Sequence, residues 1–121
     1  MNYLESLEDY LERILMLNER NGQVRSIDIA LDMGYSKPSV SIAMKKLKEK
    51  NLIEIDDKGY ISLKEEGLKI ASETYEKHKL IFDILTSIGV SEQTARNDAC
   101  KIEHSLSEET VRKLKEFHDK K

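Results

Sequence analysis

A mostly α-helical fold is predicted, with one short β-hairpin set among the helices, and three observations predict it. Apolar residues recur at i, i+3, i+4 spacing over most of the chain. Two of the helical stretches are short and meet at Gly34. Only residues 52–63 alternate like strands, around an Asp56-Asp-Lys-Gly59 turn. Two short helices followed by a hairpin make a winged helix-turn-helix, and what remains reads as a second, α-helical dimerisation domain.

The elements follow in order. Residues 4–18 form an amphipathic helix whose apolar stripe is Leu4, Leu7, Leu11, Ile14 and Leu15. Asn18 to Gln23 breaks that pattern and reads as a loop. Ser26 can cap a short helix over 27–33, which Gly34 ends. Ser36 caps the next helix, with Pro38 in its first turn, where a missing N–H does little harm. Val40, Ala43, Met44 and Leu47 form its inner stripe. Leu52–Ile55 and Tyr60–Leu63 are the strands, with Gly59 available for positive φ. Residues 65–87 form a long helix with a seam of Leu68, Ala71, Tyr75, His78, Phe82 and Leu85. Gly89 stops it, Ser91 caps a helix running to about Leu106, and Ser107 caps a last one striped by Val111, Leu114 and Phe117.

Composition narrows the function. At 121 residues the chain supports one domain or two small ones, here 1–64 and 65–121. No apolar run reaches a membrane span, and the N-terminus lacks a secretory pattern, so no membrane partner is expected. A single cysteine excludes an intrachain disulfide framework and favours a reducing, cytoplasmic location. A net charge of −3 argues against coating by polyanions, but DNA binding depends on local clustering of charge.

That clustering exists. The outer face of the second short helix carries Pro38, Ile42 and Lys45, flanked by Ser41 and Lys46. Ser36 and Ser39 offer small hydroxyls, Lys37, Lys45, Lys46 and Lys48 offer phosphate partners, and Ile42 can meet a thymine methyl. An outward Ile and Pro among lysines are poorly explained by solubility, so this face reads as the DNA-reading one. Lys58 at the hairpin tip reads as a solvated lysine or a backbone contact.

A second polar group lies near the C-terminus. On a helix, Cys100, Glu103 and His104 stand at i, i+3 and i+4 and share a face. Thiol, carboxylate and imidazole are transition-metal donors. Taken alone, Asp9 and Glu12 read as a solvated acidic flank, and His78 as a satisfied core histidine. An enzyme using Cys100 and His104 as nucleophile and base is disfavoured, since no glycine-rich loop accompanies them and the reading helix would be idle.

Four motifs stand in register: Glu8-Asp-Tyr-Leu-Glu12, Ser36-Lys-Pro-Ser-Val-Ser41, Glu76-Lys-His-Lys-Leu80 and Asn97-Asp-Ala-Cys-Lys-Ile-Glu-His104, the last followed by Leu106-Ser107. By these the chain resembles the diphtheria toxin repressor family of metal-dependent regulators, more closely its manganese transport regulator branch. The resemblance implies a homodimeric repressor that binds double-stranded operator DNA when loaded with Fe²⁺ or Mn²⁺. It also implies that Asp9, Glu12, His78, Cys100, Glu103 and His104 are the metal ligands. The sequence departs from both main branches: the manganese branch usually has a carboxylate where Cys100 stands, and the iron branch pairs that Cys with a Met where Asp9 stands. Phe82 stands where the iron branch's ancillary site has a Glu. A winged-helix regulator sensing a small organic ligand is the alternative.

Overall fold

The computed structural model describes residues 3–120, with side chains from residue 7 onward. Its elements are α1 (Tyr3–Asn21), α2 (Ser26–Met33), α3 (Lys37–Glu49), β1 (Ile53–Ile55), β2 (Ile61–Leu63), α4 (Glu65–Ser87), α5 (Glu92–Ile102) and α6 (Glu108–Asp119). The mostly α, winged helix-turn-helix expectation holds. The chain divides into two compact units, Met1–Ser72 and Glu73–Lys121, with the division falling inside α4.

The first unit has one apolar core. Leu7, Tyr10, Leu11, Ile14 and Leu17 of α1 meet Ile29 and Ala30 of α2, Val40, Ala43, Met44 and Leu47 of α3, and Ile53 and Ile61 of the strands. The inner stripe predicted for α3 is buried at all four positions. In α1 the stripe is Leu7, Tyr10, Leu11, Ile14 and Leu17, with Leu15 only half-buried. The side chain of Leu4 lies outside the described residues. Helix α1 also runs on through Asn21, so the predicted break at Asn18 comes four residues later, at Gly22.

Local chemistry sets the turns. Helix α2 already includes Ser26, so the cap falls one residue earlier than expected, at Arg25, whose backbone N–H donates to the Asp28 carboxylate at 2.9 Å. Gly34, at φ 71°, closes α2 in the left-handed region that glycine enters freely. Ser36 caps α3 as predicted, its oxygen accepting the Ser39 N–H, with Pro38 at the start of the helix. The strands pair antiparallel, Ile53 with Leu63 and Ile55 with Ile61. Asp56 ties the hairpin turn by accepting the Lys58 and Tyr60 N–H groups, each at 2.9 Å. The Ile61 N–H donates to the Val24 carbonyl at 2.7 Å, which anchors the hairpin to the segment between α1 and α2.

In the second unit the buried residues of α4 are Thr74, His78 and Ile81, while Phe82 is half-buried. The buried line therefore passes through Ile81 where the predicted seam has Phe82. Helix α5 buries Ala95 and Ala99. None of the residues of α6 is fully buried.

Gly67 tests the packing of the first unit. A Cβ there would run into the Leu52 backbone carbonyl. A helix interior ordinarily gains about 1 kcal/mol from Gly→Ala, but a clash with backbone cannot relax by a rotamer change. Gly67→Ala should therefore destabilise by roughly 1–3 kcal/mol, read as a lower midpoint in urea unfolding.

Candidate metal centre and nucleic-acid interface

Ala95, Ala99 and Glu103 stand at i, i+4 and i+8, and all three are buried. The face of α5 that packs inward thus ends in a carboxylate, 1% exposed, at a position where a core residue would ordinarily sit. Helix α5 stops at Ile102, and Glu103 is its C-cap, its N–H donating to the Ala99 carbonyl at 3.0 Å. The helix expected to reach Leu106 is therefore shorter, and His104 sits in the following turn.

His78, on α4, meets this end of α5. Its Nδ1 is 3.3 Å from Glu103 Oε2 and 3.8 Å from Cys100 Sγ. The three donor atoms all lie within 4.8 Å of one another. Metal bonds of about 2.0–2.3 Å to nitrogen, oxygen and sulfur place neighbouring donors about 3–4 Å apart, so this set fits one transition-metal ion. His104 approaches the other carboxylate oxygen, its Nε2 lying 3.5 Å from Glu103 Oε1. Glu103 thus faces a different imidazole with each oxygen. The thiol is soft, the carboxylate hard and the imidazole intermediate, a mixture suited to Fe²⁺, Co²⁺ or Zn²⁺ and still open to Mn²⁺.

The trio that converges is His78, Cys100 and Glu103, whereas helical spacing alone groups Cys100, Glu103 and His104. Asp9 and Glu12 lie on α1, in the other unit, Asp9 half-buried and Glu12 buried. Burial of Glu12 departs from a solvated acidic flank.

Every residue expected to face DNA is exposed: Ser36, Lys37, Pro38, Ser39, Ser41, Ile42, Lys45 and Lys46. Ile42 is 59% exposed on a helix whose inner stripe is otherwise closed, an unusual place for a large aliphatic side chain with no partner to meet. The Ser36 hydroxyl is engaged, since it donates to Ser39 Oγ at 2.8 Å and caps the helix. Its first duty is to fix the start of α3.

Several braces of this unit were not legible from periodicity. Arg13 of α1 pairs with Asp32 of α2 at 2.8 Å, and Arg20 approaches the same carboxylate at 3.6 Å. The Arg25 guanidinium lies 4.4 Å above the Tyr60 ring, joining the start of α2 to the hairpin. Tyr35, in the turn between α2 and α3, packs edge-on against Tyr10 of α1, with centroids 6.0 Å apart. Burial, followed by the charges of Tyr35 and Asp9, raises the Tyr10 phenol above its usual value, so it stays neutral.

Known proteins match along nearly the whole chain. Residues 2–66 match the N-terminal DNA binding domain of iron dependent repressors, and residues 64–120 match their metal binding and dimerisation domain. The transcriptional regulator MntR of Escherichia coli is 37% identical over 116 residues, covering 96% of this chain and 75% of the relative. A helix-turn-helix transcriptional regulator of Methanocaldococcus jannaschii, itself uncharacterized, is 36% identical over 118 residues, covering 96% and 94%. The solved structure of the manganese regulator SloR superposes with a TM-score of 0.81 at 32% identity, over 93% of this chain. The chain spans about half, 53%, of that protein.

Cobalt offers a direct probe of the donor set. Co²⁺ added anaerobically should develop a sulfur-to-metal charge-transfer band, absent in Cys100→Ser. Glu103→Gln should weaken Co²⁺ binding at least about 10–100-fold, the loss typical even for residues that only support a ligand. Titration followed by absorbance checks both, and an unchanged affinity in Glu103→Gln would remove that carboxylate from the site.

Proposed function

The chain belongs to the iron-dependent repressor family of metal-activated DNA-binding regulators, and from that premise we propose that it represses genes of metal-ion homeostasis as a homodimer on operator DNA, with Fe²⁺ or Mn²⁺ as corepressor. Membership matches the resemblance read from the four motifs. It also favours a regulator over the enzyme alternative. The observation that carries the proposal is the converging trio of buried His78, half-buried Cys100 and buried Glu103 in a chain whose other unit exposes a basic, apolar-tipped reading helix.

In this proposal Asp9 and Glu12 complete the ligand set begun by His78, Cys100, Glu103 and His104. A bound divalent cation supplies positive charge against three carboxylates and a thiolate. Without that charge, Asp9 and Glu12 on one unit and Glu103 on the other repel, and the arrangement that gathers them is disfavoured. The gathered arrangement is then selected on metal loading, a population shift in the ordinary sense. What it must achieve on DNA is a fixed separation of two reading helices, about 34 Å or a multiple of it. Ile88, Ile102 and Phe117 of the second unit are exposed apolar side chains that a second copy could cover. No helix among the described residues is long and apolar enough to cross a membrane.

The test is operator binding with metal and with chelator at one fixed salt concentration, because phosphate contacts make affinity steeply salt-dependent. Affinity should collapse on chelation. Equal affinity in both conditions would refute metal activation. A refinement addresses selectivity: Cys100→Glu exchanges a soft donor for a hard one and should shift the ratio of Fe²⁺ to Mn²⁺ activation midpoints toward Mn²⁺. An unchanged ratio would mean that Cys100 does not set the choice of metal.

Lys45→Ala or Lys46→Ala should weaken binding to every sequence and lower the salt slope by about one unit per lost phosphate contact. Ile42→Ala should act at particular thymine-bearing positions. A uniform loss across a scanned operator would remove Ile42 from the base-reading set.

A further inference from the structure

One turn of α1 carries two kinds of residue. Asp9 and Glu12 are the ligands proposed above, and between and beside them stand Tyr10 and Arg13. These two hold the reading unit. The Tyr10 ring is 5% exposed and meets the Tyr35 ring edge-on, with planes inclined by 70°. Arg13 Nη1 meets Asp32 Oδ2 at 2.8 Å. Asp32 lies in the last turn of α2, and Tyr35 immediately precedes Ser36, the cap of α3. The Tyr35 backbone is itself pinned, its N–H donating to the Ala30 carbonyl at 3.1 Å. The turn from α2 to α3 is therefore gripped on both sides by the stretch that bears Asp9 and Glu12.

We propose that Tyr10 with Tyr35, and Arg13 with Asp32, are positioning pairs that couple the ligand-bearing turn of α1 to the N-terminal end of the reading helix. A helical turn moves as one body, because its hydrogen bonds fix the backbone, so drawing in Asp9 and Glu12 carries Tyr10 and Arg13 with them. A buried ring in a close-packed core transmits such a shift to its neighbour. The affected end of α3 is the one whose residues reach base edges in helix-turn-helix proteins. The pairs thus link the filling of the ligand set to the pose of Ser36, Ser39 and Ile42. This inference rests on the metal-activation reading and adds the route within the first unit.

Tyr35 and Asp32 are both exposed and can be altered without opening the core. The experiment compares wild type, Tyr35→Phe, Tyr35→Ala, Asp32→Asn and the Tyr35→Ala/Asp32→Asn double variant. Mn²⁺ affinity is measured by calorimetry, and operator affinity with saturating Mn²⁺ and with chelator. The quantity read is the ratio of the two operator affinities, which a purely structural contact would leave alone. The double variant should lose roughly fivefold or more of that ratio, the lower end of ordinary coupling between sites. Affinity for nonspecific DNA should stay unchanged, and Tyr35→Phe, which keeps the ring, should match wild type. An unchanged ratio overturns the inference. So does an equal loss with and without metal, which would mean that the pairs support the reading unit without coupling it. A wild type indifferent to both Mn²⁺ and Fe²⁺ would instead strike down metal activation itself. Should the double variant melt early, the single variants carry the same comparison.

Discussion

The second unit is organised by a carboxylate placed where an apolar side chain belongs. Glu103 ends the buried face of α5 after Ala95 and Ala99, and its oxygens lie 3.3 and 3.5 Å from the nitrogens of His78 and His104. Taking an ionised carboxylate out of water costs several kcal/mol unless positive charge or donors surround it. Imidazole nitrogens answer that demand by carrying a proton or by sharing a cation with the carboxylate. The Cys100 sulfur, 3.8 Å from the same His78 nitrogen, adds a third donor and favours the second solution. A site of this kind is a poor hydrophobic core and a good ion trap. Its stability is thereby tied to what it binds.

The first unit answers a different demand, which is to hold one helix still while leaving its outer face bare. Val40, Ala43, Met44 and Leu47 anchor α3 in the core, and Ser36 fixes its first turn. Ile42, Lys45 and Lys46 are left outward. The chain carries a net charge of −3, yet this face is basic, so the acidic excess is spread over other surfaces. Affinity for DNA then comes from a local field and from shape, and the overall charge disfavours indiscriminate binding. Arg25 on Tyr60 and the Ile61-to-Val24 bond keep the hairpin fastened to the same unit.

Helix periodicity and turn chemistry made most of this architecture legible. The inner stripe of α3, the glycine closing α2, the hairpin and the serine caps of α3, α5 and α6 stand where residue type and spacing put them. What spacing could not reveal were the meetings between elements. Nothing local in Glu76-Lys-His-Lys-Leu80 says that His78 meets Cys100, and nothing in Glu12 says that it is buried. Those readings came from likeness to a family, because a polar residue at a helical position looks the same facing water as facing a site. Helix ends were also misjudged. The cap of α2 falls at Arg25, with Asp28 bonding back to it, in place of Ser26, and α5 stops at Ile102, which leaves His104 in a turn. The tyrosine pair between α1 and the α2–α3 turn and the Arg13–Asp32 bridge had no periodic signature at all.

The proposal that Asp9 and Glu12 complete the ligand set of His78, Cys100, Glu103 and His104 is tested most directly by altering that pair. Asp9→Asn/Glu12→Gln keeps the size of both side chains and removes two charges. Mn²⁺ affinity and Mn²⁺-dependent operator binding should be measured on the same preparation. The account predicts that metal affinity falls by at least about tenfold, as loss of donors requires, and that operator binding ceases to respond to the metal. Unaltered Mn²⁺ affinity, with repression by metal intact, would contradict it and confine the site to His78, Cys100, Glu103 and His104.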